Sequence, residues 1–450
     1  MTADGVFAGR RYAVVGLGRN GLPAAHALQA MGAAVAVWDD DPALRDASGL
    51  PLLDPTDLRG FDALVLSPGI PHRLPAPHPV ALAAHAAGIP ILSDAELLYR
   101  ARGGRSRFVG ITGTNGKSTT TALLQHILEG AGVTSAAGGN LGTAALALPE
   151  VAVHVLEMSS YMLERLQTLR FDAAALLNLS PDHLDRHGDM AGYTAAKRAI
   201  FDRQRPGDTA VLGTDDPGTA AVAKEMQGRL HGPRVLTVSG QHAADVWCED
   251  GILRDPDGPI LRMAEAAALP GLHNAQNAAA AAALAMALGV GRHAITAGIM
   301  SFAGLPHRQQ RVAVQDGIAW VNDSKATNAD AAARALACYD RLVWIAGGMA
   351  KSGGIEALRP LLPRVAHAVL IGRDAPVLAE TLGAAGVSYT MAGTMDVAVP
   401  AARAAAARTG APVILLSPAC ASFDQFTGFE ARGDRFRDLA LGTISIGGTA

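Results

Sequence analysis

Aromatic residues make up only 4% of the 450-residue chain, so its core must be built mainly from alanine, valine and leucine. Cysteine is scarce as well. Cys248, Cys338 and Cys420 are far apart and odd in number, which leaves no disulfide framework and no Cys-x-x-Cys or Cys/His cluster of the kind that holds zinc. A reducing cytosol is the simplest setting for them. Charge of neither sign dominates: 38 basic residues stand against 41 acidic ones, for a net charge of −3. That balance offers no electrostatic footprint for nucleic acid or for an anionic membrane surface. The apolar run 278–288 is mostly alanine and falls well short of the roughly 20 residues of a membrane span, so it reads as a buried helix. The opening Met1-Thr-Ala-Asp-Gly-Val-Phe7 lacks the basic segment and apolar stretch of a secretory signal. A cytoplasmic protein that binds neither nucleic acid nor membrane is the expectation.

What is present suits a folded, multidomain chain. Hydrophobic residues make up 49% and charged residues 18%, and chains beyond roughly 250–300 residues split into domains. The first hundred residues alternate strands expected over 12–15, 34–38, 63–67 and 90–92 with helices over 22–31 and 80–87, a parallel βαβ pattern. The basic, glycine-containing stretch 100–107 reads as a linker. A second alternation has strands over 108–112, 151–157 and 173–178 and helices over 118–129 and 274–288. A third begins after Leu305, with strands over 318–322, 342–346, 368–371 and 413–417. The expected fold is α/β in three domains, 1–99, 100–304 and 305–450.

Between the strand 108–112 and the helix that follows lies Gly113-Thr-Asn-Gly-Lys-Ser-Thr119. Glycines let backbone N–H groups turn toward an anion, and a helix N-terminus adds partial positive charge. Lys117 can reach the outer phosphates of ATP, and the Ser118 hydroxyl can ligate Mg²⁺. Gly113, Thr114, Asn115, Gly116, Lys117, Ser118 and Thr119 are therefore candidate ATP contacts, which makes the central domain a P-loop-type one. The spacing GxxxxGK[ST] is not kept, because its first glycine would fall at Ile111 while glycines stand at Gly110 and Gly113. A chance glycine-rich turn is the competing reading. Strand before, helix after and an intact Gly116-Lys117-Ser118 weigh against it.

A second glycine motif, Gly16-Leu-Gly18-Arg-Asn-Gly21, also sits between a strand and a helix, with Asp39 at the end of the next strand. Taken alone it is a dinucleotide fingerprint, so the first domain is expected to be Rossmann-like and a nicotinamide-dependent dehydrogenase is a rival reading. The same geometry would cradle any diphosphate, including that of a UDP-sugar.

From Gly113 to Thr119 the chain resembles the Mur ligases of peptidoglycan synthesis and their folate-ligase relatives. The likeness continues through Ser67-Pro-Gly-Ile-Pro71, Gly138-Gly-Asn-Leu-Gly142, Leu156-Glu-Met-Ser-Ser-Tyr161, Ser180-Pro-Asp-His-Leu-Asp-Arg-His187 and Tyr193-Thr-Ala-Ala-Lys197. It extends through Gly271-Leu-His-Asn-Ala-Gln-Asn277, Leu305-Pro-His-Arg308, Asn322-Asp-Ser-Lys-Ala-Thr-Asn328 and Leu416-Ser-Pro-Ala-Cys-Ala-Ser-Phe-Asp-Gln-Phe426. These segments follow the family order over nearly the whole chain and look most like its D-glutamate-adding branch. The resemblance implies an ATP-dependent amide ligase in peptidoglycan precursor synthesis, with a Rossmann-like C-terminal domain. Its substrates would be UDP-N-acetylmuramoyl-L-alanine and D-glutamate, and its products would include ADP and phosphate. Two Mg²⁺ ions and a monomeric enzyme are expected. The nearer alternative is a Mur-type ligase that takes another amino acid.

The same resemblance implies roles for single residues. Ser118 and Glu157 would bind one Mg²⁺; a charge at the end of the apolar run 151–156 also suits a site at a strand C-terminus. His183 and Lys197 would form the second metal site, with Lys197 carbamylated, since an ammonium cannot ligate a cation. Lys117, Glu157, His183 and Lys197 form the implied catalytic set. Asn277 would contact adenine, Arg308 the outer phosphates, Asp323 the ribose, and Lys325 would lie near the phosphates. Thr327, Lys351, Ser422 and Phe429 would hold D-glutamate. Arg19, Asn20, Gly21, Asp39, Ser67, Pro68 and Gly69, with Asn140 and His183, would hold the UDP substrate. Two departures stand out. Asp39-Asp40-Asp41 places three acids where a threonine and an arginine often follow the first aspartate, so either Arg19 or Arg73 offsets them or Asp40 and Asp41 face solvent. Met162 replaces a glutamine usual after the Ser-Ser-aromatic run.

Overall fold

The computed structural model describes residues 5–140, 142–351 and 353–442. They form two compact units: one takes the chain to Glu265 together with Leu272–Phe302, and the other takes Ala266–Gly271 and the chain from Ala303 on.

The first unit holds two sheets. The smaller is parallel, in the order Ala34–Trp38, Arg11–Val15, Ala63–Leu66 and Ile91–Leu92. Its strands are apolar at successive positions because both faces are covered. Tyr12, Val14 and Val65 pack toward Leu28 of the helix Gly21–Ala30. Ala13, Val15, Leu64 and Leu66 pack toward Val80 and Ala84 of the helix Pro79–Ala86.

The larger sheet has nine strands. Arg107–Thr112 lies between Val153–Glu157 and Ala173–Leu176; Ser135–Gly139 closes one edge, and Thr209–Gly213 and Arg234–Ser239 extend the other before an antiparallel hairpin edge over 246–262. The chain leaves Arg107–Thr112, runs outward to one side, and then crosses to the other. Such a reversal opens a crevice at the strand C-termini. Alanine lets the helices that cover this sheet come close. The helix Leu272–Ala287 is buried from Asn274 to Ala285, as expected for the alanine run. Among the described residues no helix is long and apolar enough to cross a membrane.

One expectation needs correcting. The stretch 100–107 is not a linker throughout, because Asp94–Arg102 is a helix and the strand begins at Arg107. Ser93 caps that helix by accepting the Ala95 N–H, and Asp94 and Glu96 occupy its first turn. Ser-x-x-Glu is a helix-start signal that outweighs the glycines after it.

The second unit is one six-stranded sheet in the order Gln310–Gln315, Ile318–Asn322, Val413–Leu416, Leu342–Gly347, Val365–Ile371 and Tyr389–Gly393, antiparallel only at the first pair. Trp344, Leu370 and Leu415 pack to one face, and Ile345, Val369 and Ile414 to the other.

Candidate active site

Beyond the C-termini of the small sheet lies a cavity of about 420 Å³ whose lining includes Gly16, Gly18, Arg19, Asn20, Asp39, Ser67, Pro68 and Asn140. That size suits a small-molecule ligand. The three glycines of its loop have separate reasons. Gly16 adopts φ +88° and its carbonyl accepts the Ser67 Oγ–H at 2.7 Å. A Cβ on Gly18 would meet nothing within 4 Å, so the backbone is open to a ligand there. Gly21 lies underneath, where a Cβ would stand 1.7 Å from the Gly16 carbonyl oxygen. Gly21→Ala must push the helix off the strand and is expected to cost about 2–4 kcal/mol of stability in denaturant melts. Gly18→Ala should leave stability unchanged while weakening the binding of a diphosphate.

The three acids have three separate partners. Asp39 accepts the Leu17 N–H at 2.6 Å and the Asp41 N–H at 2.9 Å. Asp40 is exposed and pairs with His78 at 3.1 Å. Asp41 caps the helix Pro42–Ser48. The triple acid is therefore mostly turn and cap chemistry, and Asp40 and Asp41 do face solvent. Gly69 is exposed at the lip of the cavity, and its carbonyl accepts from Arg186.

Asn20 carries the cavity toward the larger sheet, its Nδ2 donating to the Gly139 carbonyl at 3.1 Å. Next along the chain, Asn140 donates from Nδ2 to Glu157 Oε1 at 2.6 Å. Leu141 of this glycine–asparagine loop lies outside the described residues. Glu157 ends its strand as expected and is buried. Its Oε2 is buried with no hydrogen-bond partner among the described residues. An orphaned carboxylate oxygen is costly, and a bound cation would satisfy it. The buried Ser118 hydroxyl offers a second hard oxygen of the kind Mg²⁺ takes.

The phosphate loop is formed as its sequence requires. Gly113 and Gly116 take φ +149° and +84°, and the helix Lys117–Gly130 starts directly behind them. A Cβ on Gly116 would stand 2.2 Å from Asn277 Oδ1. Asn277 is thus no surface amide; it is buried and closes over the loop, its Nδ2 donating to Asn274 at 3.1 Å. Thr114 Oγ1 lies 3.1 Å from the Tyr193 hydroxyl. Lys117 Nζ donates to the carbonyls of Gly113 and Thr114 at 2.9 and 2.8 Å.

Lys197 reaches the same place from the helix Met190–Arg198. Its Nζ donates to the Gly113 carbonyl at 2.9 Å and lies 4.8 Å over the Tyr193 ring. Burial drives its pKa well below the usual lysine range, and the Lys117 cation lowers it further. His183 holds a left-handed backbone at φ 53°, uncommon for a residue with a side chain. Its ring lies 5.2 Å from that of Tyr161. Burial lowers its pKa, Asp182 opposes this, and the cations at Lys197 and Lys117 add to it. Lys117 and Lys197 thus meet at the Gly113 carbonyl beyond the end of Arg107–Thr112, next to the end of the neighbouring strand where Glu157 sits, with His183 in electrostatic reach and Asn140 linking Glu157 to the cavity.

In the second unit, Asp323 follows the strand Ile318–Asn322 and is buried; it accepts the Gln309 N–H at 3.1 Å and the Ser417 Oγ–H at 2.8 Å. Burial pushes its carboxyl up to about 7, against those two hydrogen bonds and the nearby Arg308 cation. Lys325 Nζ lies 4.1 Å over the Phe429 ring. Thr327 N–H donates to the Lys325 carbonyl at 2.8 Å. Lys351 is exposed beyond the strand Leu342–Gly347, and Ser422 is buried, its carbonyl accepting from Gln425 and Phe426.

Sequence reasoning passed over the buried arginines Arg165 and Arg432. The Arg432 guanidinium donates to the Ser324 Oγ and carbonyl at 3.0 and 2.9 Å and to the Cys420 carbonyl at 3.0 Å, joining the loops that carry Lys325 and Ser422. Arg165 makes a similar set of bonds in the first unit. The one available signal was a charge set close to leucines, at Leu163 and Leu166.

Residues 111–285 match the model of the Mur ligase middle domain. The UDP-N-acetylmuramoylalanine–D-glutamate ligase of Paramagnetospirillum magneticum is 49% identical over 443 residues, with 96% of each chain covered. The protein of that name from Caulobacter vibrioides is 46% identical, covering 99% of this chain and 98% of its own. Among solved structures, the UDP-N-acetylmuramate-alanine ligase MurC of Thermotoga maritima superposes with a TM-score of 0.62 at 17% identity, over 97% of this chain and all of its own. That last likeness speaks for the fold alone. With half of its residues shared with a relative over nearly its full length, the chain belongs to the Mur ligase family.

Proposed function

We propose that this chain joins the carboxylate of UDP-N-acetylmuramoyl-L-alanine to the amine of D-glutamate, using ATP. What most supports this is Glu157 Oε2, buried and unsatisfied beside the phosphate loop, in a chain close to half identical to D-glutamate ligases. A carboxylate is a poor electrophile because its charge repels nucleophiles and oxide is a poor leaving group. Transfer of the ATP γ-phosphoryl group to it gives an acyl phosphate; the amine then forms the amide bond and phosphate leaves.

Lys117 exchanges its loop carbonyls for the outer phosphates, and the N–H groups of the loop hold the rest of the triphosphate. Ser118 and Glu157 would hold one Mg²⁺, and His183 with a carbamylated Lys197 a second; together they would supply the positive charge that lets carboxylate and triphosphate meet. Asn140 keeps Glu157 oriented. The cavity takes the UDP end, through Arg19, Asn20, Asp39, Ser67 and Pro68, with Gly21 and Gly69 shaping its walls. Asn277, Arg308, Asp323 and Lys325 contact ATP, and Thr327, Lys351, Ser422 and Phe429 hold D-glutamate. We keep domain limits of 1–99, 100–304 and 305–450, each of which encloses one sheet, although the first limit falls within the helix Asp94–Arg102. We place the enzyme in the cytoplasm as a monomer.

A phosphate-release assay over a panel of amino acids tests this. Release should require both UDP-N-acetylmuramoyl-L-alanine and D-glutamate. Equal release with L-glutamate, or with neither substrate present, would sink the reading.

A further inference from the structure

Arg165 lies two residues past the short helix Ser160–Leu163, which itself begins just after Glu157. Its side chain is 2% exposed. Nη1 donates to the carbonyls of Leu66 at 2.6 Å and Ser67 at 3.1 Å, and Nη2 donates to that of Ile70 at 2.7 Å. All three acceptors belong to the strand end and loop that bring Ser67, Pro68 and Ile70 to the cavity. Arg186, from the short helix directly after His183, donates to the Gly69 carbonyl at 3.0 Å, its guanidinium 4.3 Å over the Tyr161 ring. The segments that bear Glu157 and His183 thus each send an arginine to the lip of the cavity.

Burying a guanidinium is costly, and an apolar side chain would fill the same volume more cheaply. Among the described residues no carboxylate is hydrogen-bonded to Arg165: neighbouring Glu164 turns to His187 at 3.3 Å and His72 at 3.9 Å. The gain is geometric. A planar fork with fixed donor directions holds several carbonyls at a set spacing, which a flexible ammonium cannot do. We infer that Arg165 is a positioning residue that fixes the Ser67–Ile70 loop, and with it the nucleotide end of the bound substrate, at a set span from Glu157 and the phosphate loop. This rests on the cavity being the UDP site. The other end of the same substrate must meet the γ-phosphoryl group, so a shift in span costs binding and alignment together.

The test uses Arg165→Met and Arg165→Lys in the full chain, with calorimetric binding of UDP-N-acetylmuramoyl-L-alanine and steady-state constants for all three substrates. Arg165→Met should raise KM for the UDP substrate about tenfold, the scale of one lost charge-assisted hydrogen bond, and lower kcat. KM for ATP and for D-glutamate should stay within about twofold. Arg165→Lys should recover part of the loss. Equal shifts in all three KM values, or wild-type binding of the UDP substrate by Arg165→Met, would overturn the inference. If Arg165→Met does not fold, Arg186→Ala carries the test, since it removes only the outer bonds to Gly69 and Ile70 and the contact with the Tyr161 ring. A selective rise of about threefold is then expected, and an unchanged KM overturns the proposal. A wild-type protein that binds no UDP substrate would instead refute the reading of the cavity.

Discussion

Lys197→Met is expected to lower turnover about a thousandfold, the equivalent of about 4 kcal/mol of lost electrostatic stabilisation, while the fold stays intact. The amine sits buried beside Lys117, a place that penalises an ammonium. Burial first and the Lys117 cation second depress its pKa, which shifts the folded chain toward the neutral amine relative to the unfolded one. The unfolded chain holds this proton more tightly than the folded chain, so the unmodified lysine lowers stability at pH values below the ordinary lysine value. A neutral amine is also the form that adds to carbon dioxide, giving a carbamate and a proton. The product carries an anionic oxygen where the free side chain carried none. Methionine keeps the volume without the amine. The variant should therefore be at least as stable as the parent at pH 7 by urea melts, yet nearly inactive in phosphate release. Full activity would remove Lys197 from the metal site.

Asp323→Asn is expected to abolish a pH dependence of stability worth up to about 4 kcal/mol. Burial raises the carboxyl to about 7 in the folded chain, whereas an unfolded aspartate titrates near 4. Between those values the folded chain holds a proton that the unfolded chain has released. Stability from this group therefore falls as pH rises from about 4 to about 7 and is level above. Urea melts at pH 5 and pH 8 should show the parent losing about 2–3 kcal/mol more than the variant over that interval. An identical loss in both would mean that Asp323 does not carry the raised pKa. Ionised, the side chain offers ATP a strong acceptor; the asparagine variant should raise KM for ATP severalfold.

The order of segments was legible before any coordinates. Strands at 12–15, 34–38 and 108–112 read correctly because parallel strands covered on both faces are continuously apolar. The region 205–265 did not. Thr209–Gly213 and Arg234–Ser239 are ordinary strands, but their polar ends dilute the apolar signal. The capped helix from Asp94 was hidden by the arginines and glycines that follow it. Asn277 shows the limit from the other side: its closure over the phosphate loop shows only once the loop packed against it is seen.

The two glycine loops themselves were set by sequence. A backbone that must turn with φ near +84° at Gly116, or pass under a carbonyl at Gly21, admits glycine and little else, and such local demands show in the residues. The sequence also carried Lys117 and Ser118 to the start of their helix, which is enough to specify phosphates. Which phosphates, and to what end, depended on the tertiary structure. Only folding buries Glu157 Oε2 with no donor among the described residues, strips solvent from Lys197 and threads Arg165 into the loop of another sheet. Burial is the sum of contacts from segments tens of residues apart, so the charge states and the span between the cavity and the phosphate loop exist in no local stretch of chain.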